Sequence, residues 1–237
     1  MQSKRRLLLA SLMAALTWLN PAHAQDTFKI GFILPMTGPF ASTGKQIEAA
    51  ARLYVAQNGG SVAGKKVELI FKDDTGAPDV TKRIAQELIV NDKVSVLAGF
   101  GLTPLALATA PIATQSKTPL VVMAAATSSI TEASPFVIRT SFTLPQAAVA
   151  MGDWATQNGI KKAVTMVADY GPGIDAEKYF KERLLLNGAQ VLESLRIPMR
   201  NPDFAPFLQK VRDLKPDAVY VFVPSGVGAA LMKQFAE

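Results

Sequence analysis

The chain has 237 residues, 49% of them apolar, and 25 Lys and Arg against 19 Asp and Glu give a formal charge of +6 at pH 7. It has no Cys and one His, His23, so disulfides, thiol nucleophiles, a lipid-bearing Cys and His or Cys metal centres are excluded from everything beyond the first 24 residues. Three of the basic residues, Lys4, Arg5 and Arg6, precede every acid; without them the excess is +3, too mild to point to nucleic acid as a partner.

Residues 1–24 have the layout of a secretory signal peptide. A basic start at Lys4 to Arg6 leads into an apolar run, Leu7 to Leu19, that is too short to cross a bilayer, and Ala22-His23-Ala24 suits cleavage before Gln25. The expected mature protein is therefore exported and soluble in the periplasm. Short β-rich runs then alternate with helical spacing. Strands are predicted at Phe28 to Leu34, Lys66 to Lys72, Ser95 to Ala98 and Leu120 to Met123. Between them, Ile47, Ala50, Ala51, Tyr54 and Val55 share one helical face, Val80, Ile84 and Leu88 another, and a third helix is expected from Thr103 to about Gln115. This rhythm predicts βαβ crossovers and a parallel sheet, making residues 25–141 a Rossmann-like α/β lobe.

The rhythm breaks in the Ser-, Thr- and Pro-rich stretch from Thr127 to Pro145, which holds one short β-like piece, Phe136 to Arg139, so the crossover to a second lobe is expected near Thr140 to Thr143. Helical spacing returns at Ala147, Ala150, Met151 and Trp154. Strands follow at Ala163 to Ala168, Ala189 to Arg196 and Ala218 to Val223. Helices are expected at Ile174 to Asn187, from Phe204 with Asp203 as N-cap, and from near Gly226. Three strands make a small core, so the second lobe, 142–237, is expected to be incomplete. The fold class is α/β: two Rossmann-like lobes with parallel sheets, joined by a hinge.

In such sheets ligands sit beyond the carboxyl ends of strands, and two facing lobes can enclose a small carboxylate by hinge closure. The loops to watch are Gly99 to Pro104, with Leu102 and Thr103; Ala124 to Ser129, with Ala125, Ala126 and Thr127; Pro39 to Gly44, with Thr43; and Asp169 to Gly173, with Tyr170. Ser225 and Gly226 follow the last strand. Thr103 can offer hydroxyl and N–H to an anion, and Tyr170 can close over a ligand with ring and hydroxyl together. Competing motifs fail: Gly99-Phe100-Gly101 lacks the third glycine of a dinucleotide fingerprint, and Pro224-Ser225-Gly226 is no nucleophile elbow. No cofactor, metal or enzymatic chemistry is expected. Asp73 and Asp74 read as solvated loop residues at a strand end.

Taken together, IGFILPMTGPFASTG from Ile30, NGGSVAGKKVELIFKDD from Asn58, IRTSF from Ile138, ADYGPG from Ala168 and KPDAVYV from Lys215 give the chain its resemblance to a known family. In order and spacing it resembles the type I periplasmic solute-binding proteins of ABC importers, the leucine/isoleucine/valine-binding group. That resemblance implies capture of a branched-chain or other apolar amino acid, delivered to a permease in the inner membrane. Thr103 and Thr127 would hold its carboxylate and an Ala carbonyl of the 125–126 pair its amino group, while Thr43 stands where relatives often place an aromatic residue. An acid for the ligand ammonium would be expected beyond Glu237. Phe100 and Leu102 beside small alanines suit a benzoate-like acid equally well. A sensor domain of the same fold is the alternative reading.

Overall fold

A computed structural model describes residues 26–199 and 202–236. The signal-peptide reading lies outside them. Among the described residues no helix is long and apolar enough to cross a membrane.

The first part of the chain builds a six-stranded sheet. Its strands are β1 (Thr27–Leu34), β2 (Ser61–Val62), β3 (Lys65–Asp73), β4 (Val96–Gly99), β5 (Leu120–Val122) and β6 (Val137–Arg139), in the order β2-β3-β1-β4-β5-β6. Every pairing is parallel except β2 with β3. That short hairpin was not expected from the sequence. It turns on Ala63 and Gly64, both at positive φ (49° and 77°), the pair of left-handed residues that a two-residue hairpin needs.

Helices α1 (Ala41–Gln57), α2 (Pro78–Val90) and α3 (Thr103–Ser116) cover the sheet. On one face Ile33, Leu97, Leu120 and Val122 pack with Ile84 and Leu88 of α2 and Ala106 and Ala110 of α3. On the other, Phe32 stacks on Phe71 at 4.7 Å, with Ile47 and Ala51 of α1 against them. The helical spacing of α1 is correct but its apolar face is narrower than expected: Ile47, Ala51 and Val55 are half-buried, while Ala50 and Tyr54 face solvent.

Between β6 and α4 (Leu144–Gln157) residues 140–143 carry the chain from this sheet to a second. Thr143 and Gln146 form a reciprocal cap that fixes where α4 starts. The second sheet is parallel, in the order β8 (Gln190–Ile197), β7 (Lys162–Ala168), β9 (Ala218–Phe222). Helix α4 and α5 (Gly171–Leu186) cover one face, where Ala148, Ala155, Phe180 and Leu184 pack and Phe180 stacks on Tyr220 at 4.0 Å. Helices α6 (Ala205–Leu214) and α7 (Ser225–Ala236) cover the other with Leu208, Val211 and Leu231 against Met166 and Ile197. Helix α6 begins one residue later than read from the sequence, with Phe204 as its N-cap. The Asp203 carboxylate still accepts the Ala205 N–H at 3.1 Å.

Candidate functional site

Segments that follow strands in both sheets meet around a cavity of about 340 Å³. From the first sheet come Thr37 and Phe40 after β1, Gly76 after β3, and Leu102 at the start of α3. From the second come Tyr170, between β7 and α5, and Met199, just after β8. A site of this size at the carboxyl ends of two sheets is the usual setting for a small ligand in such a fold.

Beside the cavity the structure brings two threonines together. Thr103 is the first residue of α3, between the wall residues Leu102 and Pro104, and Thr127 ends the loop after β5. Both are buried, and their Oγ1 atoms lie 2.8 Å apart in a mutual hydrogen bond. Gly171, the first residue of α5, sits over them from the other lobe: a Cβ there would lie 3.7 Å from Thr103 Cγ2 and 3.8 Å from Thr127 Oγ1. The amino-terminal ends of α3 and α5 thus converge on the same two hydroxyls. Each brings the positive end of a helix dipole, so the spot favours an anion.

Ala125 and Ala126 are buried in the loop that carries Thr127. Their polar backbone is already engaged within the protein: the Ala125 N–H donates to the Phe100 carbonyl at 2.9 Å, and the Ala126 carbonyl accepts the Leu144 N–H at 2.9 Å. Phe100 is held at φ 63° and is fully buried, a left-handed conformation that a bulky residue rarely adopts. Tyr170 caps α5 and lines the cavity; burial pushes its phenol up to about 12, so it is a protonated donor at neutral pH. Ser225 opens α7. Its neighbour Gly226 abuts the loop after β1, for a Cβ there would come within 2.4 Å of the Pro39 carbonyl oxygen.

Thr43 is placed differently from Thr37 and Phe40. The loop after β1 is shorter than the sequence suggests, because a single 3-10 turn at Gly38–Phe40 runs directly into α1. Thr43 is consequently in the first turn of that helix, while the cavity wall there is made by the residues before it.

Asp73 and Asp74 are not solvated loop residues, as the sequence suggested. Asp73 accepts the Met36 N–H at 3.0 Å, the Thr37 hydroxyl at 2.6 Å and the Thr75 N–H at 2.9 Å, which ties the loop after β1 to the loop after β3. Burial works against its charge, but these hydrogen bonds outweigh it and hold the carboxyl below its usual value. Asp74 is fully buried. Its Oδ1 accepts the Gly76 N–H at 2.8 Å and its Oδ2 has no partner among the described residues, so burial pushes this carboxyl up to about 6, the charge of Asp73 adding to the rise.

Two further residues shape the site without having been singled out from the sequence. Arg139, in β6, donates to the Thr127 carbonyl at 2.7 Å and reaches the Ala125 carbonyl at 3.4 Å. Burial lowers its pKa, and the charge of Asp175 works the other way. Asp175, in the first turns of α5, receives both the N–H of Ser128 (2.9 Å) and its hydroxyl (3.1 Å). Neither contact is periodic in sequence. Among the described residues, no cluster of His, Cys, Asp or Glu could hold a metal ion.

Two lobes that meet over a pocket at their strand ends, with an anion-favouring threonine pair beside it, define a ligand-binding protein. The family model described as periplasmic binding protein matches residues 27–237, and the chain belongs to that family. It is 41% identical over 223 residues to a Leu/Ile/Val-binding protein homolog 6 of Brucella abortus, across 94% of this chain and 57% of that protein. Among solved structures it resembles a solute-binding protein of an ABC transporter from Rhodopseudomonas palustris BisB5, crystallised with 3,4-dihydroxybenzoic acid. The identity is 61% and the TM-score 0.86, over 90% of this chain and 58% of that one. A second R. palustris solute-binding protein, in complex with 4-hydroxybenzoate, matches at 42% identity and TM-score 0.86, over 89% and 58% of the two chains. The chain therefore spans a little under three fifths of the length of these relatives.

Proposed function

We propose that this protein is the periplasmic substrate-binding component of an ABC importer, and that its cargo is a small aromatic carboxylate of the hydroxybenzoate type. Residues 25–141 and 142–237 act as the two lobes, and the first 24 residues are the export signal, cleaved after Ala24. The ligand carboxylate takes up the Thr103 and Thr127 hydroxyls at the helix ends, and the ring lies among Phe40, Leu102, Tyr170 and Met199. A permease in the inner membrane receives the ligand when the lobes open.

The observation that carries this reading is the 61% identical relative that holds 3,4-dihydroxybenzoic acid. The local chemistry agrees with it: an apolar cavity with a phenol donor on one side and an anion-favouring corner beside it. A branched-chain amino acid is the second reading, supported by the name of the Brucella relative.

Thermal-shift and calorimetric titrations decide between them. A ligand that binds only the folded state raises the melting temperature. The expected result is a rise with 3,4-dihydroxybenzoate and 4-hydroxybenzoate and none with L-leucine or L-valine. A rise with the amino acids alone would overturn the aromatic assignment.

A further inference from the structure

The loop that presents Thr127 is gripped from both sides. From within its own lobe, the Arg139 guanidinium holds the Thr127 carbonyl at 2.7 Å. From the opposite lobe, the two carboxylate oxygens of Asp175 take the N–H and the hydroxyl of the next residue, Ser128, at 2.9 and 3.1 Å. Thr127 is thus the residue between an intralobe clamp and an interlobe one, and its side chain makes the 2.8 Å bond to Thr103. Ser128 and Asp175 belong to different sheets, joined here by residues 140–143. Separation of the lobes must break both Ser128 bonds and leave the Thr127 to Arg139 bond intact.

We propose that Asp175 is a positioning residue that latches the closed lobes: by accepting both donors of Ser128 it fixes the Thr127 loop against α5 and couples lobe closure to the threonine pair. The role of the pair as a carboxylate anchor rests on the function proposed above; the latch itself is a statement about the two lobes. Asp175 lies outside the cavity wall and need not touch ligand. Loss of the latch therefore makes the closed complex open faster, and the effect falls on the dissociation rate rather than on the encounter.

The chain has no Cys, so one spin label can be placed in each lobe through Asp79→Cys and Arg212→Cys, both at exposed positions. Pulsed electron-electron distance measurements are then made with and without 3,4-dihydroxybenzoate in the otherwise unaltered protein, Asp175→Ala, Asp175→Asn and Ser128→Ala. Asp175→Ala and Ser128→Ala are expected to move population to longer inter-lobe distances and to raise the ligand dissociation rate about tenfold or more. The melting temperatures without ligand should stay unchanged. Asp175→Asn, whose amide can accept the N–H and donate to the hydroxyl, is expected to restore most of the closed population. Distance distributions for Asp175→Ala that superimpose on the parent in every condition would overturn the latch. So would an Asn variant as open as the Ala variant, or a fall in unliganded melting temperature that accounts for the whole change. If dihydroxybenzoate changes nothing in the parent while the ligand-free distributions still separate, the latch stands and the aromatic-acid reading fails.

Discussion

Asp74 offers a quantitative check on the burial of the first lobe. Its carboxyl titrates at about 6 in the folded protein against an ordinary value of 3.8. Between those values the folded chain keeps a proton that the unfolded chain has released. Stability therefore falls as pH rises through this window; the cost is absent below about pH 3.8 and fully present above about pH 6. At about 1.36 kcal/mol per pKa unit the shift corresponds to about 3 kcal/mol. Asp74→Asn keeps the acceptor for the Gly76 N–H and never ionises, so it resembles the protonated acid at every pH. Thermal denaturation followed by circular dichroism from pH 4 to pH 8 is the assay. The variant is expected to melt roughly 6–12 °C higher than the parent at pH 7.5, with the gap shrinking towards zero at pH 4. A gap that does not change with pH, or a variant less stable throughout, would refute the argument.

Other outcomes follow from the site and its framework. On the proposed function, Thr103→Ala would remove a hydrogen bond to a charged ligand group and is expected to weaken 3,4-dihydroxybenzoate by about 1–3 kcal/mol in calorimetry; unchanged affinity would remove Thr103 from the site. With the Tyr170 phenol at about 12, benzoate affinity should be flat from neutral pH to about pH 10, and a fall in that range would show an ionising phenol. Gly226→Ala places a Cβ 2.4 Å from the Pro39 carbonyl oxygen and is expected to wedge the lobes apart, lowering ligand affinity about tenfold with little change in unliganded melting temperature. Gly173→Ala meets the Ala168 carbonyl oxygen at 1.9 Å, so α5 must move off β7; a loss of about 1–3 kcal/mol in denaturant melts is expected.

The strands of both sheets could be read from the sequence to within a residue or two, because buried parallel strands show as short apolar runs that need no distant partner to be recognised. The hairpin strand β2 could not, since Ser61–Val62 is too short and too exposed to leave a pattern. The same limit applied to the acids at the end of β3. Asp73 and Asp74 look alike in sequence, yet Asp73 ends β3 and is held by the first loop, while Asp74, just past the strand, is buried in the interior. Thr103 and Tyr170 were visible as candidates because they stand at strand-to-helix junctions. Arg139 and Asp175 were not, for Arg139 acts on the Thr127 carbonyl and Asp175 on Ser128, which lies 47 residues from it in the chain. Met199 escaped because the turn and cap signals near it in sequence, Asn201-Pro202 and Asp203, announce the next helix and not a pocket.

The bond between Thr103 and Thr127 bears on which ligands the proposed binding component would admit. One of the two hydroxyls donates to the other, so one proton of the pair is used and one remains to be offered. An amide or ester carbonyl would take that proton only as an ordinary neutral hydrogen bond. A carboxylate forms charge-assisted bonds about twice as strong, at a place where two helices already present their positive ends. On the proposed function, the threonine pair would therefore favour ionised acids over their uncharged derivatives, so that the protein would sort its cargo by protonation state before shape is consulted.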